Sequence, residues 1–409
     1  MASATLSHPV VATLESRKLA GARTRIAVIW IDWYAYHVAR FRAIATHPVF
    51  EGRAIGIELV GGAGLHGRMV FRAAEREGLP IATLFPDGSW SDIGQYRIAR
   101  RLWKELNRIS PEVVLVPGYY TLPGLASVFW ARLHGKRAVL MSESTRRDHQ
   151  RRPLLEGAKR AVLPRLFHAA ISGGKRQSAY LRDLGFAPAK IAGLYDVVDN
   201  EYFAERAAAH RRETSVAALD LPSRYFLSVG RLAPEKNIDG LIRAFALYRE
   251  RGGTWSLVLV GDGPLASSLR RQVSDAGLDG SVLFAGMKDT RAMTPYYAFA
   301  GCFMLPSWRE PWGLVANEAM SAGLPLIVSN RCGCSDDLLE DGANGYVFDP
   351  VDNEQLADLM STMSGLSSSQ RSSMGEKSKE IIARYSLATW AEEVVTIAGY
   401  TTQPDCPSA

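Results

Sequence analysis

The sequence lacks several of the residue patterns that mark common protein classes. Four cysteines in 409 residues are too few for a disulfide framework. Cys332 and Cys334 lie close together, but no histidine follows His210, so a zinc site around them is not favoured. No Asp-x-Asp pair occurs anywhere, which argues against a diphosphate held by a metal ion and two carboxylates. We therefore expect no metal and no other cofactor.

Long apolar runs are also missing. No uninterrupted apolar stretch reaches the roughly 18–20 residues that span a bilayer. The first 22 residues contain no continuous apolar segment of the kind found in signal peptides. From these absences we expect a cytoplasmic protein, with any membrane contact limited to peripheral binding on the inner face.

The chain is moderately basic, with a net charge of +6 and an isoelectric point near 9.1. Such a charge suits anionic small ligands, an anionic membrane surface or nucleic acid. Nucleic acid is not favoured as a partner, because the basic residues of the motifs described below occur as isolated pairs in loops. A chain of 409 residues, of which 47% are hydrophobic, is too long for a single core, so we expect at least two domains.

Short apolar runs alternate with segments of helical periodicity along most of the chain. This order predicts an α/β protein with mostly parallel sheets covered by helices on both faces. The predicted strands of the first series are Arg25 to Ile31, Ala54 to Val60, Ile81 to Phe85, Val113 to Pro117, Ala138 to Met141 and Ala169 to Ser172. Those of the second series are Tyr225 to Gly230, Ser256 to Gly261, Ser281 to Phe284, Cys302 to Leu305, Leu326 to Val328 and Gly345 to Phe348. The first series has helical patterns at Val38 to Thr46, Arg68 to Glu77 and Ile93 to Ile109.

The alternation breaks between Val197 and Leu221, which divides the chain into two parts. We predict a loose N-terminal arm (1–23), an N-terminal domain (24–204), a linker (205–221), a C-terminal domain (222–385), a last helix (386–400) and a tail (401–409).

Residues 62–67 match Gly-x-Gly-x-x-Gly, the pattern of a dinucleotide-binding turn. The motif follows the second predicted strand instead of the first, and Asp87, the acidic residue about 20 positions further on, lies beyond the end of the third strand. A nicotinamide cofactor is therefore not favoured. We interpret Gly62 and Gly64 as parts of a flexible loop on the acceptor side of a cleft between the domains.

Two glutamates stand out in the segment from Arg309 to Pro325, REPWGLVANEAMSAGLP. Glu310 is predicted to lie on a loop, because a proline and a glycine follow it at once. Glu318 is predicted to lie on the helix that the apolar periodicity places after Gly313. Free N–H groups at the start of that helix favour an anion, so the segment would suit a diphosphate flanked by hydroxyl-bearing sugars. A capping glutamate and a solvated helical glutamate would give the same spacing. The spacing alone therefore does not distinguish a binding site from an ordinary helix start.

A second motif, GRLAPEKN at residues 230–237, follows the predicted strand from Tyr225. Together with the two glutamates it resembles the retaining glycosyltransferases of family 4, which have the GT-B fold of two Rossmann-like domains facing a central cleft. Further pieces occur in the family's order: Gly261-Asp262-Gly263-Pro264, Phe284-Ala285-Gly286, Pro306-Ser307 and Gly342-Ala343-Asn344-Gly345-Tyr346. The resemblance is close over about Tyr225 to Pro350 and loose elsewhere, and it implies that the last helix crosses back to the N-terminal domain.

The resemblance implies roles for the matching residues. Glu318 matches the residue that binds the ribose hydroxyls of the donor, and Glu310 the one that holds the transferred sugar and supports its positive charge. A departing diphosphate gains negative charge, which Arg231 and Lys236 can stabilise in place of a metal. The other expected donor-binding positions are Gly230, Gly261, Gly263, Gly286, Met287, Gly313, Leu314 and Val315. The donor is thus expected to be a nucleotide-diphosphate sugar of the UDP or GDP type.

The sequence departs from the family at one position of the acceptor domain. Many members carry a histidine after a late strand of that domain, where this chain has Glu143. Glu143 is therefore a candidate catalytic residue that could orient the acceptor hydroxyl or touch the sugar. His149 and His37 are further candidates on the acceptor side, although a lone histidine near a helix start is more often structural.

A basic amphipathic segment follows, from Arg146 to Arg165. It contains seven Arg or Lys residues, Arg151 and Arg152 among them, against only Asp148 and Glu156. Such a segment can lie on an anionic membrane or hold an acceptor attached to a lipid diphosphate, and an ordinary solvated helix face is the alternative.

These observations together predict a metal-independent, retaining glycosyltransferase. It would move a sugar from a nucleotide-diphosphate sugar to a glycan, a glycolipid or another hydroxyl acceptor, in bacterial surface polysaccharide or glycoconjugate synthesis. The alternatives are a GT-B glycoside phosphorylase, which would use free phosphate, and a non-catalytic sugar-nucleotide binding module, against which the intact Glu310 argues.

Overall fold

The computed structural model of the protein describes residues 25–62, 76–148 and 151–400. Gly64, His149, the predicted arm (1–23), the predicted tail (401–409) and most of the helix predicted from Arg68 to Glu77 lie outside the described residues.

The described strands form two sheets. The strands of the first are β1 (Ile26–Trp30), β2 (Ala54–Glu58), β3 (Ile81–Thr83), β4 (Val113–Pro117), β5 (Arg137–Ser142), β6 (Ala169–Ser172) and β7 (Ile191–Ala192), in the order β3-β2-β1-β4-β5-β6-β7. Those of the second are β8 (Tyr225–Val229), β9 (Ser256–Val260), β10 (Val282–Gly286), β11 (Cys302–Leu305), β12 (Leu326–Ser329) and β13 (Gly345–Phe348), in the order β10-β9-β8-β11-β12-β13. All pairings of the second sheet are parallel, and so are those of β1 with β2 and β4, of β2 with β3, of β5 with β6 and of β6 with β7 in the first.

Helices connect the strands. They are α1 (Ala35–Thr46), α2 (Gln95–Ile109), α3 (Leu122–Leu133), α4 (Pro153–Leu166), α5 (Lys175–Asp183), α6 (Asn200–Glu213), α7 (Ile238–Glu250), α8 (Ala266–Asp275), α9 (Thr290–Phe299), α10 (Leu314–Ser321), α11 (Ser335–Leu338), α12 (Asn353–Gly365), α13 (Ser368–Ile382) and α14 (Leu387–Ile397). None of the described helices is long and apolar enough to cross a membrane.

The chain divides into two compact units, residues 1–34 with 41–138 and residues 35–40 with 139–409. In the first unit, the end of β2 carries the buried carboxylate of Glu58. Arg76 donates to both of its oxygens at 2.7 Å, and the Thr83 hydroxyl donates at 2.7 Å. These partners compensate a charge that would otherwise be costly to bury.

The second unit contains the second sheet, whose two faces are both covered. Along β8, Tyr225, Leu227 and Val229 belong to one apolar cluster with residues of α9 and α10, whereas Phe226 belongs to another with residues of α7 and α12. Alternate residues of a strand point to opposite faces, so the continuous apolar run of β8 is explained by helices on both sides.

The α/β class and the predicted strands are confirmed. The two-residue strand β7 was not predicted, and the second half of α6 occupies the start of the predicted linker at 205–221. The last helix, α14, packs on β6 and β7, and the Trp390 indole donates to the carbonyl of Arg40 at 3.1 Å. The domain boundaries themselves stay a prediction.

The carboxyl ends of β8, β9 and β10 carry glycine turns that lie against one another. Gly230 N donates to the carbonyl of Val260 at 3.0 Å, and Gly261 N donates to the carbonyl of Gly286 at 2.9 Å. Gly261 has a φ of 142°, and a Cβ there would lie 1.9 Å from the carbonyl oxygen of Gly230. A Cβ at Gly263 would lie 2.5 Å from the carbonyl oxygen of Leu232. These turns therefore approach as closely as they do only because the residues are glycines.

Gly261→Ala is expected to destabilise the second unit. The added methyl group collides with a backbone carbonyl at a φ that side chains disfavour, which together costs about 2–4 kcal/mol. We expect the melting temperature to fall by more than about 4 °C. Gly280→Ala is the matched control, since a Cβ at Gly280 meets nothing within 4 Å. Equal melting temperatures for the two variants would contradict the close approach of the turns.

Candidate active site

The loop between β11 and α10 carries Glu310 against Lys236. Lys236 ends a short 3-10 turn after β8, and its Nζ contacts Oε2 of Glu310. The Ser307 hydroxyl donates to the same oxygen at 3.2 Å. Only 21% of the Lys236 side chain and 12% of the Glu310 side chain are exposed. Two residues predicted for the site, 74 positions apart, are thus in direct contact.

Asn237 holds the loops that carry this pair. It is 1% exposed and has a left-handed backbone, with φ of 53°. Its Nδ2 donates to the carbonyls of Pro306 at 3.1 Å and Pro350 at 3.2 Å. The loops after β8, β11 and β13 are thereby tied together. Sequence reasoning missed this role, for which the one available signal was that asparagine is among the few residues that adopt this backbone readily.

Arg231 is paired with Glu235, four residues further along the same loop. Burial raises the pKa of Glu235, but the hydrogen bond and charge of Arg231, a backbone hydrogen bond and the charge of Lys236 together outweigh burial, so the net shift is downward and Glu235 is ionised at neutral pH. The Arg231 side chain is 55% exposed. A guanidinium has five N–H donors, and one carboxylate does not use all of them. Arg231 can therefore still bind a second anion.

Glu318 lies in the body of α10 and accepts a hydrogen bond of 2.7 Å from the hydroxyl of Tyr297 on α9. Burial raises the pKa of Glu318 to about 7, and the hydrogen bond from Tyr297 offsets part of this shift. Glu318 consequently changes its charge near neutral pH. The sequence placed Glu318 on a helix but gave no sign of its tyrosine partner.

The start of α10 provides backbone N–H groups. Gly313 is the N-cap residue with φ of 108°, and a Cβ there would lie 2.7 Å from Cδ2 of Leu305. The N–H groups of the first turn, those of Leu314 and Val315 among them, have no carbonyl partner within the helix and can bind an anion. The buried Trp312 anchors this turn, because its indole donates to Oδ1 of Asn317 at 2.9 Å.

Gly286 and Met287 lie at the carboxyl end of β10, beside the turn that carries Gly261 and Gly263. Gly286 has a φ of 70°, and Met287 is 67% exposed. Both residues lie at the edge of the sheet where Gly230 also lies.

A cavity of about 690 Å³ opens beside Glu310 within the second unit. Of the predicted site residues that the structure describes, Glu310 alone is among those that line it. Five arginines contribute to its wall, namely Arg146, Arg147, Arg176, Arg309 and Arg331. Arg176 is paired with Asp336 and Arg331 with Asp349, whereas Arg309 donates to the carbonyl of Asp148 at 3.2 Å. Sequence reasoning had not assigned any of these arginines individually.

Glu143 does not line this cavity but lies against a buried acid. It shares a side-chain hydrogen bond with Asp196, which is fully buried and lies 3.5 Å from the guanidinium of Arg40. Burial and the charge of Glu143 raise the pKa of Asp196 well above its ordinary range, against the opposing effect of Arg40. The raised pKa favours the protonated form of Asp196, which can donate a hydrogen bond to Glu143. The sequence gave no sign of this pair.

The other described candidates on the acceptor side do not line the cavity beside Glu310. His37 is a buried residue of α1 whose ring lies 4.4 Å from that of Tyr36. The N–H of Gly62 donates to the carbonyl of Gly88 at 2.9 Å. The guanidinium of Arg151 stacks on the ring of Tyr180 at 4.3 Å, and Arg152 is an exposed residue at the N-cap of α4.

Cys332 and Cys334 are both buried behind the Glu310 loop. Burial raises the pKa of each thiol above its ordinary value, which disfavours the thiolate that a metal requires. In the described part of the chain, no group of three His, Cys, Asp or Glu side chains is arranged to hold a metal ion.

The raised pKa of Glu318 predicts a pH-dependent stability. The folded protein holds a proton up to about pH 7, whereas the unfolded chain releases it near the ordinary value of 4.5. The stabilisation from this proton is therefore fully present below pH 4.5 and is lost as the pH rises through 7. Glu318→Gln keeps a neutral side chain, so the melting temperature of the wild type should fall relative to that of the variant between pH 5 and 8. Glu250→Gln, an exposed change on α7, is the control, and parallel curves for all three proteins would contradict the shift.

Parts of the chain are similar to known proteins. Residues 211–381 match the model of the family described as Glycosyl transferases group 1. The exopolysaccharide phosphotransferase SCO2592 of Streptomyces coelicolor is 35% identical over 156 residues, which are 38% of this chain and 16% of that protein. The alpha-D-kanosaminyltransferase of Streptomyces kanamyceticus is 28% identical over 193 residues, 45% of this chain and 50% of that protein. The matches thus cover half or less of the length of these relatives.

Among solved structures, Anabaena Alr3699/HepE in complex with UDP is similar with a TM-score of 0.68 and 16% sequence identity. The match covers 91% of this chain and 99% of that one. At this identity the similarity shows the fold alone, and it confirms the fold expected from the sequence. The chain has the fold of the GT-B glycosyltransferases, and its residues 211–381 match the group 1 glycosyltransferase family.

Proposed function

We propose that the protein is a retaining glycosyltransferase of family 4, which transfers a sugar from a nucleotide-diphosphate sugar to a hydroxyl acceptor. The observation that carries the proposal is the contact of Lys236 with Glu310 beside the free N–H groups of α10. This arrangement offers a cation for a diphosphate and a carboxylate for a sugar in one place. The family match over residues 211–381, a relative named as a kanosaminyltransferase and a structural neighbour that binds UDP support it.

Each of these residues would have a separate role in the transfer. As the bond between the sugar and the diphosphate breaks, negative charge grows on the leaving group, and Lys236 and Arg231 stabilise it together with the first-turn N–H groups of α10. Glu310 holds hydroxyls of the transferred sugar and supports the positive charge that develops on the ring. The acceptor oxygen bonds to the sugar on the face that the diphosphate leaves, and its proton passes to the departing phosphate oxygen.

Glu318 would bind the ribose hydroxyls of the donor, and Gly286 and Met287 would contact the base. Two fixed cations supply the charge that a metal provides in sites with an Asp-x-Asp pair, so we propose that no metal is needed. The setting proposed is synthesis of a bacterial surface polysaccharide or glycoconjugate on the cytoplasmic side of the membrane. The donor would be of the UDP or GDP type.

A panel of nucleotides and nucleotide sugars tests the reaction class directly. A donor at 100 times its dissociation constant should stabilise the protein by about 2.7 kcal/mol. Incubation of that donor with candidate acceptors should release the nucleoside diphosphate and yield a product of unchanged anomeric configuration by NMR. Release of sugar that depends on free phosphate, without any nucleotide, would instead identify a phosphorylase.

Removing the charge of the central pair is expected to lower turnover more than donor binding. Glu310→Gln should reduce kcat at least a hundredfold, because the carboxylate acts most strongly when the sugar becomes positive. Lys236→Met should lower transition-state stabilisation by roughly 2–4 kcal/mol. The matched control is Asp239→Asn with Arg243→Gln, which removes an exposed ion pair on α7. Steady-state kinetics with a fixed donor and acceptor measure all three variants.

Two results would contradict these roles. A Glu310→Gln rate within about threefold of wild type, on the order of 0.6 kcal/mol, would remove Glu310 from the reaction. Complete loss of activity in EDTA, restored by a divalent ion, would show that a metal carries the diphosphate charge.

We propose that α4 and the residue before it make a peripheral membrane contact. On α4 only Leu163 is buried, while Leu154 is 91%, Leu155 52% and Val162 47% exposed. The basic residues divide into two groups. Arg151 and Lys159 are engaged with Glu156, whereas the exposed Arg152 and Arg165 flank the apolar face. Exposed leucines beside exposed arginines suit an anionic bilayer surface.

We expect co-sedimentation with anionic vesicles that weakens as salt increases, because screening shortens the reach of the charges. Leu154→Ser with Leu155→Ser, and separately Arg152→Ser with Arg165→Ser, should each reduce the bound fraction severalfold. Leu133→Ser is the control, since Leu133 on α3 is equally accessible at 76% exposed. Unchanged binding in both α4 variants, or no binding by the wild type, removes the membrane proposal.

A further inference from the structure

A second cavity, of about 470 Å³, lies at the opposite edge of the second sheet. Its lining includes the residues that directly precede four strands: Arg224 before β8, Trp255 before β9, Gly301 before β11 and Pro325 before β12. We call it the amino-end pocket. Because all six strands are parallel, this pocket and the Glu310 loop are separated by the length of the strands, roughly 17 Å for five residues.

The wall of the amino-end pocket is strongly cationic. Four basic side chains line it, namely Arg211, Arg224, Arg371 and Lys379, and the one carboxylate among the lining residues is Glu376. Glu376 is paired with Lys379 at 2.8 Å. None of the three arginines forms an ion pair among the described residues, and the charge of Glu376 acts on Arg211 only at longer range.

Each arginine is held in a different way. Arg211 donates to the carbonyls of Ala298 at 2.7 Å and Ala322 at 2.8 Å. The guanidinium of Arg371 lies 4.8 Å from the ring centre of Trp255. The side chain of Arg224 makes no ion pair or hydrogen bond within the described ranges. Two of the three cations are thus fixed by neutral groups that orient them without neutralising them.

The resulting charges repel one another. Burial and the nearby charge of Arg224 lower the pKa of Arg371, and burial lowers the pKa of Arg211. Each guanidinium still has N–H groups that can donate to a ligand, and their planar arrangement matches the spacing of phosphate oxygens. A bound anion would accept from them and remove the repulsion.

We propose that the amino-end pocket binds a phosphate-bearing anion, such as a phosphate ester or a diphosphate, at a site separate from the one that contains Glu310. A volume of about 470 Å³ is large enough for a small phosphorylated molecule. Ser368 and Ser372 on α13 add hydroxyl donors to the same wall. The proposal does not depend on the proposed glycosyl transfer, since it uses none of the residues assigned to that reaction.

The pocket shares two helices with the Glu310 site. Ala298 and Ala322, which accept from Arg211, lie at the ends of α9 and α10, and these helices carry Tyr297 and Glu318. An anion that binds Arg211 therefore acts on a side chain that holds the ends of both helices. This connection makes the pocket a candidate position for an effector.

Isothermal titration with inorganic diphosphate tests the site. Because diphosphate also suits the Glu310 site, the titration is made on the full chain carrying Arg231→Ala and Lys236→Ala, with the unmodified chain in parallel. In that background, adding Arg224→Ser and Arg371→Gln should weaken diphosphate binding at least tenfold. Adding Arg243→Ser and Arg291→Ser, which removes the same charge from exposed positions on α7 and α9, should leave it unchanged. Melting curves of all variants show whether each is folded.

Two outcomes would overturn the proposal: no diphosphate binding once Arg231 and Lys236 are replaced, or equal binding by the pocket variant and its charge-matched control. A second arm identifies the source of the phosphate. If vesicles of phosphatidylglycerol co-sediment less with the pocket variant than with the control, the ligand is a lipid headgroup. If the pocket variant and the control sediment equally, while the pocket variant no longer binds diphosphate, the ligand is a soluble phosphate compound.

Discussion

The contact between Lys236 and Glu310 depends on three loops that leave different strands of one parallel sheet. Asn237 ties these loops by donating to the carbonyls of Pro306 and Pro350 from a fully buried position. The amide is therefore a constraint on the whole site, since it sets how far the Lys236 turn lies from the Glu310 loop. A parallel sheet supplies the rest, because the carboxyl ends of all its strands meet at one edge.

Local features of this edge follow from the sequence. The apolar runs predicted the strands because a strand buried on both faces carries little besides apolar residues. Glycines marked the turns, and the steric reason is visible at Gly261, where a Cβ would meet the carbonyl of Gly230. The start of α10 after Gly313 was predictable for the same reason. Each of these features depends on a few neighbouring residues, so it can be predicted directly from the sequence.

Features that depend on distant partners were not predictable. The pKa of Glu318 is set by burial and by Tyr297, which the packing of α9 on α10 brings within 2.7 Å. Asp196 forms a pair with Glu143 and lies beside Arg40, which is far away in the sequence. The arginines of the two cavities likewise come from separate loops and helices. No periodicity or motif indicates such contacts, because they arise only when the elements pack.

The difference between local features and contacts with distant residues explains why the class of reaction is better supported than the identity of the acceptor. The family match covers residues 211–381, which contain Arg231, Lys236, Glu310 and Glu318, the residues proposed to bind the donor. The residues before 211 lie outside that match, and it is there that the resemblance seen in the sequence aligns Glu143 with a histidine of the family. Asp196 places a second carboxyl group beside Glu143, whereas a histidine at that place would be neutral or positive. An acceptor bound beside Glu143, as the sequence predicts, would therefore meet two carboxyl groups in place of an imidazole.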